Sequence, residues 1–225
     1  MKTLIAFAAG LLATFALSAT AQERGYYQSP DLNDDILVFV SEGDVWRASA
    51  QGGTAVRLTT HPEAERTPIL SPDGNWIAFM ASYDGPEEVY LISVTGGSPK
   101  RLTHEGGGVS LRGWMDNDRV IYRTTNLSGR LPRILRTVDR TSLSTIDLPF
   151  DNADQATIDQ PDSTLFFTRY GLSMFADNAV LYRGGRMAQL WRGDLTSEAE
   201  AERLAPEFGA PIRHPMYHDE RIYFV

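Results

Sequence analysis

Apolar residues in this chain come in short runs set between polar clusters rich in Asp, Asn, Pro and Gly. The pattern is plainest from Leu70 to Met80. Pro68-Ile69-Leu70 is followed by Ser71-Pro72-Asp73-Gly74, and then by Trp76-Ile77-Ala78-Phe79. Pro72 presets φ at the second turn position, Asp73 can bond its own backbone and Gly74 tolerates a positive φ, so two short strands around a tight turn are predicted. Four relatives of this hairpin occur. In them Asn33-Asp34-Asp35 precedes Ile36, Met115-Asp116-Asn117-Asp118 precedes Val120, Pro161-Asp162-Ser163 precedes Leu165 and His218-Asp219-Glu220 precedes Ile222. Ile36, Ile77, Val120, Leu165 and Ile222 are therefore equivalent, at intervals of roughly forty residues or a little more, the last being the longest.

Each unit has a second half. Asp44-Val45-Trp46-Arg47 leads through Gly52-Gly53 to Val56-Arg57-Leu58-Thr59, and Glu88-Val89-Tyr90-Leu91 leads through Gly96-Gly97 to Lys100-Arg101-Leu102-Thr103. Looser versions follow at Arg133 to Leu148 and at Gln189 to Leu204. Four strands at this period make an all-β fold, a β-propeller of four-stranded blades. About four and a half blades are expected, at about 30–60, 68–103, 109–148, 153–205 and 211–225. The last unit stops at its second strand, so the chain is expected to be a piece of a longer protein whose ring is six-bladed when whole.

Residues 1–21 differ in composition from the rest. Lys2, an apolar run from Leu4 to Leu17 and the small-x-small site Ala19-Thr20-Ala21 predict a secretory signal peptide cut before Gln22. The mature domain is then 22–225, placed in the periplasm, with no membrane span after cleavage. The chain of 225 residues has no cysteine, so export brings no disulfides. Its formal net charge of −8 argues against a nucleic-acid surface.

The search for chemistry yields little. Gly108-Val109-Ser110-Leu111-Arg112-Gly113 has the wrong spacing for a nucleophile elbow and lies in strand context. Gly106-Gly107-Gly108 has no lysine and helix start behind it and reads as a flexible crossing between blades. His214 and His218 have Pro215 between them and do not form a helical zinc pair, while His61 and His104 are exposed echoes of the repeat. No metal and no cofactor are expected. Asp31, Asp34 and Asp35 read as a polar turn, and Asp151, Asp154 and Asp159 read the same way. The four tryptophans, Trp46, Trp76, Trp114 and Trp191, fall once per blade at strand positions and are expected to pack between blades.

Blade four carries extra residues between Thr168 and Gln189, where the other blades cross more briefly. Binding in repeat proteins concentrates in such insertions, although a loop that merely covers an edge has the same signature. Arg183 and Arg186 flank Gly184-Gly185, where a peptide carboxylate or a neighbouring acid would each satisfy them. The candidate channel or docking residues are Arg169, Tyr170, Tyr182, Arg183, Gly184, Gly185 and Arg186.

The hairpin Ser71-Pro72-Asp73-Gly74 with Ile77-Ala78-Phe79 resembles the Pro-Asp propeller repeat of tricorn protease, the Tol-system propeller protein and the prolyl-oligopeptidase group. Two stretches narrow this. Ile36 to Val40 followed by Glu42-Gly43-Asp44-Val45-Trp46 is similar to the opening of tricorn-type proteases. Thr168-Arg169-Tyr170-Gly171 and Tyr182-Arg183-Gly184-Gly185, followed by Leu190-Trp191, resemble that family's first propeller. The resemblance implies a parent serine peptidase of the tail-specific type, with two propellers, a PDZ module and a catalytic core. It implies a non-catalytic propeller around an axial channel for peptides, with the catalytic residues lying outside this chain. The partners implied are peptides or unfolded polypeptide, other domains of the same chain, and further copies of the protein in a homo-oligomer. The alternative is a stand-alone periplasmic protein-binding propeller of the Tol-system type.

Overall fold

The computed structural model describes residues 25–126, 133–169, 187–197 and 200–225. The expected signal peptide and six of the seven blade-four candidates, Tyr170, Tyr182, Arg183, Gly184, Gly185 and Arg186, lie outside the described residues. The described chain is all strand, with no helix, arranged as four four-stranded sheets and a two-stranded fifth. Blade one is β1 (Tyr27–Asn33), β2 (Ile36–Ser41), β3 (Asp44–Ser49) and β4 (Val56–Arg57). Blade two is β5 (Arg66–Leu70), β6 (Trp76–Ala81), β7 (Glu88–Ser93) and β8 (Lys100–Arg101). Blade three is β9 (Ser110–Trp114), β10 (Arg119–Thr124), β11 (Ile134–Asp139) and β12 (Thr145–Asp151). Blade four is β13 (Ala153–Asp159), β14 (Thr164–Arg169), β15 (Gln189–Asp194) and β16 (Glu202–Arg203), and β17 (Met216–His218) with β18 (Arg221–Tyr223) starts the fifth. Every pairing is antiparallel between sequence neighbours, as in an up-and-down blade.

The second strands of blades one to four are largely buried on both faces, which is why they read as continuous apolar runs. In β6 alternate residues serve opposite neighbours. Ile77 and Phe79 pack towards blade one with Val38 and Val45, while Ala78 and Met80 pack towards blade three with Leu111 and Trp114. Ile121 and Leu165 repeat the arrangement between blades three and four. The Ser71–Gly74 turn is held as its residues predict. Gly74, at φ +68°, donates its amide to Ser71 O at 2.9 Å, and Ser71 Oγ donates to Asp73 Oδ1 at 2.5 Å. Asn33 of blade one then donates to Ser71 O at 2.9 Å, tying one hairpin to the next.

Several local expectations change. Blade one begins a few residues before the expected 30, with β1 starting at Tyr27, whose ring is edge-on to Phe39 at 5.2 Å. Of the tryptophans Trp114 is in the buried core, and Trp76 and Trp191 pack partly buried against the clusters between blades two and three and between blades three and four. Trp76 and Trp191 also carry guanidinium groups on their faces, from Arg140 at 4.9 Å and Arg169 at 4.5 Å. The triple-glycine crossing is pinned, because Gly106 donates its amide to Glu88 Oε1 at 2.8 Å and Gly108 O accepts from Thr125 N at 3.1 Å.

Candidate axial channel and the blade junctions

The first strand of every blade faces a common axis, so β1, β5, β9, β13 and β17 enclose a cavity of about 1100 Å³. These strands are too far apart to share a ladder and are joined by side chains instead. Asp31 Oδ2 accepts from Leu70 N at 2.7 Å, Trp114 Nε1 donates to Ile69 O at 3.1 Å, and Gln155 Oε1 accepts from His214 N at 2.7 Å. Burial pushes the Asp31 carboxyl above its ordinary range, against the lowering effect of the Leu70 amide. Tyr217 is stacked on Phe166 at 5.3 Å, and the Asp159 carboxylate near it pushes its phenol up to about 12. The fifth hairpin is tied to β13 by Tyr217 N, which donates to Thr157 Oγ1 at 3.1 Å.

The channel wall carries a signature that sequence reading passed over. Ser29, Thr67 and His214 all have left-handed backbones, at φ +47°, +50° and +48°, and each precedes a proline. All three dipeptides line the cavity. A non-glycine residue in this region costs about 1 kcal/mol or more, and the surrounding ladder must hold it. In β1 and β5 the register slips at this point, which turns the strand. Repeated Ser/Thr/His-Pro in or just before an inner strand was the available signal.

Charge is built into the blade junctions in a repeated form. Asp44 opens β3 and Glu88 opens β7, and both are buried. Arg57 pairs with Asp44, and Arg101 with Glu88 at 3.1 Å. Thr59 and Thr103 complete the pattern, accepting from Val45 N at 2.8 Å and Val89 N at 2.9 Å. Thr103 donates to Glu88 Oε2 at 2.6 Å, while Thr59 donates to Glu65 Oε2 at 2.9 Å. Tyr83 also donates to Glu65, whose carboxyl is raised by burial. The repeated Arg-Leu-Thr was visible in the sequence, but its buried acid was not.

Blade three departs from this arrangement. The register puts the apolar Ile134 where Asp44 and Glu88 stand, and the preceding Arg133 bonds Asp154 Oδ2 at the start of blade four. Arg112, on the cavity wall, reaches the same carboxylate at 2.7 Å and the Asp154 carbonyl at 2.8 Å. Asp154 is thus a junction residue in β13, a correction to its reading as a turn acid. The sequence-predicted Arg169 ends β14 half-buried, its guanidinium 5.3 Å from Phe167 and 4.5 Å from Trp191. Ser110, the serine of the weak nucleophile motif, accepts a hydrogen bond from Arg123 at 2.7 Å.

A family model described as the tricorn protease N-terminal beta propeller domain matches residues 24–225. The chain belongs to this family. Tricorn protease homolog 1 of Streptomyces coelicolor is 30% identical over 215 residues, covering 89% of this chain and 19% of that protein. The tricorn protease homolog of Saccharolobus solfataricus is 26% identical over 209 residues, covering 90% and 19%. The tricorn propeller described here thus spans about a fifth of the length of these curated relatives. In fold it is similar to the crystal structure of the tricorn protease, with a TM-score of 0.74 at 18% identity over 89% of this chain and 20% of that one. It is also similar to a putative TolB from Agrobacterium tumefaciens, with a TM-score of 0.66 at 19% identity over 85% and 65%.

Proposed function

We propose that this chain is the non-catalytic front propeller of a periplasmic tricorn-like serine peptidase, forming a peptide channel and docking to the other domains of its parent. The observation that carries the reading is the axial cavity of about 1100 Å³, walled by the first strands of all five blades, in a member of the tricorn propeller family. Its wall mixes apolar side chains such as Leu32 and Met216, both exposed to the cavity, with backbone and small polar groups. Such a surface suits an extended polypeptide of varied sequence better than one shaped ligand. Family membership favours this reading over the Tol-type binding propeller, with which the chain shares its fold. The blade-four segment with Arg183 and Arg186 is the proposed contact for a peptide carboxylate.

The test uses the full-length protein with Leu32→Trp and Met216→Trp, which narrow the channel. Hydrolysis of an extended peptide of roughly twenty residues should fall, with a tripeptide cleaved at the original rate. Equal rates for both substrates, before and after the substitutions, would refute passage through this cavity. Deletion of residues 2–21 should retain the protein in the cytoplasm, and an exported deletion product would refute the leader.

A further inference from the structure

We infer that the arginine cluster between blades three and four is a binding site for a small oxyanion. Arg112 and Arg123 share a single carboxylate, that of Asp154, and Arg133 uses it as well. Arg112 engages it directly at 2.7 Å. Arg123 stands off, with Nε 3.6 Å from Oδ1, and that buried nitrogen has no acceptor among the described residues. The carboxylate of Glu105, on the linker entering blade three, is taken up by Arg136, Tyr122 and Thr124. Even with Arg133 set aside, two guanidinium groups on one carboxylate leave positive charge uncompensated among the described residues in a largely enclosed place, which is unfavourable without a counter-charge. Arg123 feels this as a lowered proton affinity, caused by desolvation and by Arg112 and Arg133, against the pull of Asp154.

Blade two shows what a satisfied junction looks like, with both Glu88 oxygens taken up by Arg101, Thr103 and Gly106. The third junction differs in having more arginines than carboxylates at its centre among the described residues. It is also reachable, since the Arg112 and Arg123 side chains keep 22% and 18% of their surface exposed and Arg112 opens onto the axial cavity. A guanidinium presents paired coplanar donors, which match two oxygens of one anion and favour an oxyanion over a halide. The inference does not depend on the channel reading, because it rests on the charges alone.

The experiment is calorimetric titration of the full-length protein with sodium sulfate and, separately, sodium acetate, at an ionic strength held constant with chloride. Saturable binding is expected, weakened about tenfold or more by Arg123→Met. Arg123→Lys keeps the charge without the paired donors and should weaken it too, covering the case in which Arg123→Met fails to fold. Asp154→Asn removes the competing carboxylate and should bind more tightly, a direction that partial unfolding does not mimic. Sulfate binding alone identifies an inorganic oxyanion, and equal binding of acetate identifies a carboxylate. Absence of saturable binding by both anions, or affinities unchanged in Arg123→Met and Arg123→Lys, would overturn the site.

Discussion

Glu88 is the most informative single side chain to remove. It is fully buried at the start of β7, and its two oxygens accept from Thr103 Oγ1 at 2.6 Å, Gly106 N at 2.8 Å and Arg101 Nη2 at 3.1 Å. One carboxylate thus fixes the outer strand of blade two and the linker into blade three. Glu88→Ala strands a hydroxyl, an amide and a guanidinium. Arg101 keeps 21% of its side-chain surface exposed and regains water, so its pair is counted as nothing. The two other hydrogen bonds to a charged acceptor are worth about 1.5–3 kcal/mol each. The expected loss is therefore about 3 kcal/mol or more, in line with breaking a buried pair. The assay is native-state hydrogen exchange in the full-length protein, read at the amides of Val89, which donates to Thr103 Oγ1, and Leu102, which donates to Val89 O. Protection there should drop roughly a hundredfold, while that of Leu165 in blade four stays put. Glu88→Gln, which keeps one acceptor oxygen and the shape, should lie between. A change below about fivefold at both amides would refute the argument that this carboxylate holds the junction.

Other expectations follow from the same geometry. The Glu65 carboxyl, raised by burial, should titrate with a midpoint above 4.5 by carbon-detected NMR, and a midpoint at or below it would refute the desolvation argument. Because the folded state holds this proton longer than the unfolded one, Glu65 makes stability fall as pH rises from about 4.5 through the raised value, so Glu65→Gln should flatten that dependence. A Cβ on Gly193 would lie 2.3 Å from the Phe150 ring, which is itself stacked on Phe167 at 4.8 Å. Gly193→Ala should cost about 1–3 kcal/mol in exchange protection at Leu165, with much of it recovered by adding Phe150→Leu. Asp31→Ala should cost about 1–3 kcal/mol by orphaning the Leu70 amide, measured as faster exchange at Leu70, and an unchanged rate would refute the cross-blade bond.

Much of the blade architecture was legible because it is local. The Ser71-Pro72-Asp73-Gly74 turn, the apolar run behind it and the spacing of its relatives all report on neighbours in sequence. What was illegible lies across blades. Arg112 and Asp154 are 42 residues apart, and Asp154 sits in an Asp-rich stretch whose composition mimics a turn. A repeat alignment matches equivalent positions, so it does not show that Arg133 takes its acid from the next unit. Glu88 looked like an ordinary polar strand start, because the residues that justify its burial, Thr103 and Gly106, are supplied only when the sheet and the linker close around it. The left-handed Ser29, Thr67 and His214 were hidden differently, since residues before proline ordinarily stay extended. The aromatic faces of Phe167 and Trp191 that flank Arg169 come from two different strands, a contact that its loop sequence does not announce.

The bond from Arg133 to the next blade also bears on how such a ring can change over generations. Blades one and two each carry their own acid and their own arginine, so a copy of either would arrive electrically complete. Blade three does not, because its arginines look to Asp154 in the unit that follows. A duplication or deletion that parted blade three from blade four would leave those arginines without their shared carboxylate. The third and fourth blades are therefore bound to be inherited as a pair, and their order around the axis is written in charge.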